Sequence, residues 1–91
     1  IEKDNKIIGT AKIIIEQKFH NNFSKVGHIE DVVVSEEYRG KGYGTLLIKK
    51  LIEIGNESEC YKTILSCSDG NILYYEKLGF KIKGKEMSIY F

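Results

Sequence analysis

Ninety-one residues suffice for one small domain, burying somewhat over ~60% of the surface an unfolded chain exposes. The apolar fraction of 42% is ordinary for a globular protein. The 14 basic and 13 acidic residues leave a net charge of +1, which excludes the lopsided charge of a nucleic-acid or membrane-surface binder. No apolar run approaches the ~20 residues of a spanning helix, so no membrane insertion is expected.

The chain opens at Ile1, and Lys3-Asp4-Asn5-Lys6 is a turn signal so early that its partner strand is expected to begin upstream, as in a fragment. Ile7 to Phe19 reads as a long strand, rich in β-branched residues, with Gly9 predicted to mark a bulge or a close backbone approach. Residues 20–25 predict a loop and Val26 to Val34 a second strand. Gly44 to Glu57 predicts an amphipathic helix. Leu47, Leu51 and Ile54 form its apolar stripe, Ile48 and Ile52 lie beside it, Lys49, Lys50 and Glu53 face water, and Gly55-Asn56 supplies a stop. Tyr61 to Cys67 predicts a third strand. Ser68 to Asn71 predicts a turn and helix cap, Ile72 to Leu78 a short helix ending at Gly79, and Phe80 to Phe91 one or two final strands.

That order implies an α/β (α+β) fold with a mixed, mostly antiparallel sheet and packed helices. The strand 26–34, the helix and the strand 61–67 form a parallel crossover, and a crevice opens where such strands part at their carboxyl ends. Cys60 and Cys67 lack zinc-site spacing, and one extended strand holds them too far apart for a disulfide. Reduced, packed thiols and a cytoplasmic location are expected.

Between the second strand and the long helix lies Tyr38-Arg39-Gly40-Lys41-Gly42-Tyr43-Gly44. A helix start carries unpaired N–H donors and the positive end of the helix dipole, which suits a phosphate, and Arg39 and Lys41 add charge. The Walker A spacing is absent, and the glycine register is not that of a dinucleotide fingerprint. Glu30 and Asp31 interrupt an apolar strand, where charge is costly unless paired or used. Neighbours on a regular strand face opposite ways, so the two acids can act as a couple only if a bulge intervenes. One acid is expected to bind a cationic substrate. Tyr75 on the short helix can donate a proton to a departing thiolate, whereas Tyr74 is expected in the core. Asn71 is expected to cap the short helix and His28 to be a hydrogen-bonded structural residue.

Arg39, Gly42 and Gly44 fill the fixed positions of the Arg/Gln-x-x-Gly-x-Gly/Ala signature, so the chain resembles the GNAT superfamily of N-acetyltransferases. Gly27 to Val34, Tyr38 to Gly44, Cys60 to Leu65 and Tyr74 to Phe80, with Glu16 to Phe19, resemble its glucosamine-6-phosphate N-acetyltransferase branch across most of the chain. The resemblance implies a single N-acetyltransferase domain over 1–91, the C-terminal two-thirds of the family fold without its N-terminal strand and helices. It implies acetyl transfer from acetyl-CoA, with no metal, to the 2-amino group of glucosamine 6-phosphate, feeding UDP-N-acetylglucosamine synthesis. Val32, Val33 and Val34 would hold the pantetheine arm, and Arg39, Gly40, Lys41, Gly42, Tyr43 and Gly44 the pyrophosphate. Asn71 would touch CoA near its thiol. Glu30 and Asp31 would meet the sugar and its amine, Glu30 also as a catalytic residue. Lys18, Phe19, His20, Asn21, Tyr61 and Lys62 would help hold the sugar phosphate, and Tyr75 would protonate the leaving thiolate. A homodimer is implied, the last strand packing on a partner. Ser66 stands where the family usually has Asp, and Tyr90 where it has a basic residue. Acetylation of another amine, such as a polyamine or a protein N-terminus, and a non-catalytic CoA-binding module are the alternatives.

Overall fold

The structure is a computed structural model and describes residues 1–3, 5–18 and 24–91. Glu2–Lys3 (β1) and Lys6–Ile7 (β2) pair as a small hairpin, Glu2 opposite Ile7 and Lys3 opposite Lys6. Residues on both sides of the 3–6 turn thus pair with each other. Asn5 takes φ +63°, a left-handed conformation that Asn tolerates better than most residues.

The long first strand is interrupted at Ile8 and continues as Gly9–Gln17 (β3). Ile8 is buried, and its backbone serves two neighbours: its N–H donates to Ile1 O at 3.0 Å, and its carbonyl accepts from Ser35 N–H at 2.6 Å. Gly9 marks the close approach expected of it, since a Cβ there would lie 3.2 Å from Leu47 Cδ1. Lys25–Val34 (β4) pairs antiparallel with β3 and parallel with Cys60–Ile64 (β5), giving the sheet order β3-β4-β5.

The helix Tyr43–Glu57 (α1) connects β4 to β5 and covers one face of the sheet. Its buried residues are Ile48, Leu51 and Gly55, with Ile29 of β4 joining Ile48 and Leu51 at the core's centre. The buried stripe is thus rotated from the expected Leu47–Leu51–Ile54 line, and Leu47 and Ile54 are half-buried. Gly55 does not stop the helix. It lets the helix settle on the sheet, because a Cβ there would meet Thr63 Cγ2 at 2.7 Å. The helix ends beyond it, where Ser58 N–H donates to Ile54 O and Glu59 adopts φ +64°. The Lys25 ammonium donates to Ser58 O at 3.3 Å, a cation at the negative end of the helix.

Three further expectations are corrected. β5 ends at Ile64 rather than Cys67, and its pairing with β4 stops at His28–Ile64. Cys67 is consequently exposed rather than packed, while Cys60 is half-buried, and both are free thiols. No strand forms over residues 80–91, although apolar residues recur there. Among the described residues the tail pairs with no strand, so its backbone gains none of the ladder bonds that would make it one. The second helix, Ile72–Lys77 (α2), follows a single 3-10 turn at Asp69–Asn71 and closes at Gly79, where φ is +102°.

Candidate active site

The loop after β4 is built for its glycines. Gly40 and Gly42 have φ +79° and +86°, a conformation costly for any residue with a Cβ, and a Cβ on either would meet nothing within 4 Å. Gly42 is the N-cap of α1 and offers no side-chain cap. The first intrahelical bond runs from Leu46 N–H to Gly42 O, which leaves the N–H groups of Tyr43, Gly44 and Thr45 free of helical partners. Gly44 differs from the other two. Its φ is not positive, and a Cβ would make ordinary contact with Tyr74 Oη at 3.7 Å.

These amides open into a cleft of about 450 Å³ between the loop and α2. Val34, Arg39, Gly40, Gly42, Tyr43, Gly44, Asn71 and Tyr75 of the expected site line it. Arg39 is anchored by its Nε donating to Val34 O at 3.0 Å. Lys41 does not line the cleft; its ammonium lies 5.4 Å from the centre of the Tyr38 ring, and Lys3 lies 5.7 Å from the same ring. Asn71 occupies the N-cap position of α2 but makes no capping bond, and its amide donates to Ser68 Oγ at 3.3 Å. The expected capping role is therefore not the one its side chain plays.

Tyr38, Thr45 and Tyr74 also line the cleft and were missed. Tyr74 is not a core ring: it is exposed, and its hydroxyl lies 2.7 Å from Thr45 Oγ1, joining α2 to the first turn of α1. The adjacent tyrosines looked alike in sequence. They separate only because consecutive helical residues point about 100° apart.

A second crevice of about 280 Å³ lies where β4 and β5 part. Glu30, Asp31 and Val32 form one wall, Leu65 and Ser66 the other, and Tyr75 is shared with the first cleft. Thr10 pairs with Val33 and Lys12 with Glu30, so Ala11 alone faces both Asp31 and Val32. This is a β-bulge, with Asp31 at φ +53°. The bulge cancels the strand's alternation. Both acids reach the Lys12 ammonium, Asp31 Oδ2 at 3.0 Å and Glu30 Oε2 at 3.7 Å. The condition set for a carboxylate couple is therefore met. Lys12 itself was missed, since only the strand register reveals it.

Tyr75 is half-buried and stacks edge-on with Tyr74 and Phe80 at 5.0 and 5.9 Å. Burial pushes its phenol above the ordinary value of 10.0, and Tyr74 and Cys67 act in the same direction. It is protonated at neutral pH.

Other expected residues are not brought here. Lys18 pairs with Glu16 at 3.0 Å, and Glu16 also binds His28 Nε2 at 2.7 Å, so His28 is hydrogen-bonded as expected. Tyr61 and Lys62 sit at the start of β5, the Lys62 ammonium 5.4 Å from the Tyr61 ring. Lys62 is level with Val26, at the opposite end of β4 from Asp31. Val33 lines neither cavity and is exposed. Phe19, His20 and Asn21 lie outside the described residues. Among the described residues, no three His, Cys, Asp or Glu side chains converge as metal ligands do, and no helix is long and apolar enough to cross a membrane.

The profile of the Acetyltransferase (GNAT) family matches residues 1–80. The chain belongs to that family. It is 50% identical over 88 residues to glucosamine 6-phosphate N-acetyltransferase 1 of Dictyostelium discoideum, covering 97% of this chain and 56% of that protein. It is 44% identical over 88 residues to a probable glucosamine 6-phosphate N-acetyltransferase 2 of Oryza sativa subsp. japonica, covering 97% and 53%. The crystal structure of glucosamine-6-phosphate N-acetyltransferase from Arabidopsis thaliana superposes with a TM-score of 0.93 at 43% identity, over 99% of this chain and 63% of that one. This GNAT chain thus spans a little over half the length of these curated relatives.

Proposed function

We propose that the chain transfers acetyl from acetyl-CoA to the 2-amino group of glucosamine 6-phosphate, releasing N-acetylglucosamine 6-phosphate and CoA in the route to UDP-N-acetylglucosamine. One observation carries this reading: Tyr75 lines both the amide-walled cleft and the acid-walled crevice. A thioester held along the first cleft would present its sulfur to the same phenol that borders the amine's crevice. The relatives' names supply the acceptor's identity.

Each residue's task follows from its surroundings. The unpaired amides of Tyr43, Gly44 and Thr45, with Arg39 beside them, hold the diphosphate. β4 beyond His28 makes no ladder with β5, so the Val32–Val34 backbone is an edge on which the pantetheine amides can bond as an added strand would. An N–H of that edge polarises the thioester carbonyl as negative charge develops on its oxygen. Glu30 and Asp31 receive the sugar's amine. The amine attacks the carbonyl carbon, the C–S bond breaks, the proton that the nitrogen loses passes through Glu30 to water, and Tyr75 gives its own proton to the departing thiolate and regains one from solvent.

We also propose that residues 1–91 act as one acetyltransferase domain, in the cytoplasm, and that it works as a homodimer. The accessible surface is 7392 Å², against about 5400 Å² for a compact chain of 10.4 kDa. The excess exceeds the ~800 Å² per partner of a standard interface. Lys18, Tyr61 and Lys62 lie too far along β4 from Asp31 to share one sugar phosphate within a chain, and a second copy supplies them.

The test mixes protein, acetyl-CoA and glucosamine 6-phosphate and follows CoA thiol, with Cys60 and Cys67 subtracted as background. Release that requires the 6-phosphate and falls about 10²–10⁴-fold in Tyr75→Phe supports the proposal. Release only with polyamines or peptide amines reassigns the acceptor, and acetyl-CoA binding without turnover makes the chain a binding module.

A further inference from the structure

Tyr75 can serve both cavities only if its phenol stays at the point they share, and the helix that carries it is poorly built to hold it there. α2 has six residues and no buried one, and its N-cap residue makes no capping bond. So short a helix has little stability of its own. Tyr75, Leu78 and Phe80 pack against the Ile29–Ile48–Leu51 core. Such apolar contacts keep α2 against the core, but they are non-directional and leave it free to slide. A directional tie comes from Tyr74. Its hydroxyl lies 2.7 Å from Thr45 Oγ1 and sits over Gly44, 3.7 Å from where a Cβ would be.

We propose that Tyr74 is a positioning residue: its bond to Thr45 clasps α2 to the first turn of α1 and so fixes the Tyr75 phenol between the cleft and the crevice. The two tyrosine rings meet edge-on with centroids 5.0 Å apart, so a shift of one displaces the other. Thr45 has two parts in this arrangement. Its N–H is one of the free amides at the start of α1, and its hydroxyl holds Tyr74. The seat assigned to the diphosphate and the residue assigned to the thiolate are therefore joined through one side chain. Proton delivery by Tyr75 rests on the function proposed above, but the hold of the clasp on α2 does not. Misplacing a reacting group by about 1 Å can cost on the order of 10²-fold in rate. The loss of the clasp alone is smaller, because the apolar contacts of α2 remain.

The experiment compares wild type, Tyr74→Phe, Thr45→Val and the double variant, each as the full chain. Both substitutions keep a similar shape and remove one hydroxyl, and Thr45→Val keeps the backbone amide. Amide exchange over residues 72–80, followed by NMR without substrate, reads the clasp. Each single variant should exchange about three- to tenfold faster there than wild type, and the double variant no faster than the faster single. Unchanged exchange in Tyr74→Phe, or effects that multiply in the double variant, overturns the clasp. Steady-state kinetics with acetyl-CoA and glucosamine 6-phosphate then read the positioning. In Tyr74→Phe, kcat should fall about three- to tenfold while both KM values stay within about twofold of wild type. Faster exchange with an unaltered kcat, or a loss carried by KM, overturns the positioning role. A wild type inactive on this sugar would overturn the function proposed above, while the exchange would still decide the clasp.

Discussion

Individual residues in this chain are set apart by what a Cβ or a proton would cost. Gly40 and Gly42 occupy the left-handed region, where an added Cβ costs about 1–2 kcal/mol, whereas Gly44 has room and an ordinary backbone. Gly42→Ala should weaken acetyl-CoA binding in calorimetry about five- to thirtyfold, and Gly44→Ala should leave it within a few-fold of wild type. Sequence spacing marked the loop but could not rank its glycines, since all three read as backbone without a side chain. Acid stability offers a second residue-scale test. Lys18 first, and His28 next, hold the Glu16 carboxyl below its ordinary 4.5. A group depressed in the folded state adds stability above its ordinary value and loses it as pH falls through the depressed one. Glu16→Gln should therefore lower the urea midpoint at neutral pH, and the difference between the two proteins should vanish as pH falls through and below the ordinary carboxylate range.

Elements tell a different story about legibility. The order of strands and helices followed from β-branched runs and helical periodicity, and both helices formed close to where those patterns put them. What could not be read was any feature set by register. The bulge opposite Ala11, the parting of β4 from β5 and the Lys12 bridge all depend on which residues of two strands face each other. Gly55 was misjudged for a related reason. Gly-Asn is a common helix stop, but here the missing side chain is a contact surface against Thr63 and Ile13. Thr63 is β-branched and has little freedom to move its methyl group. Gly55→Ala should consequently cost about 1–3 kcal/mol by urea unfolding despite alanine's higher helix propensity. A gain in stability would show that the helix is not pressed on the sheet there.

At the scale of the whole molecule, the chain holds together around few residues. Among those described, only Ile8, Val26, Ile29, Ile48 and Leu51 are buried large apolar side chains, while Met87, Ile89, Tyr90 and Phe91 stand open to water. The alternating tail was legible as strand-like but not as unpaired, because the sequence names no partner edge. If copies cover one another's tails, folding is coupled to association by mass action, and the melting temperature should climb as protein concentration is raised over a hundredfold range. A melting point indifferent to dilution would mean that each copy stands alone. Otherwise, scarcity itself would disable the molecule, by unfolding it before any inhibitor was needed.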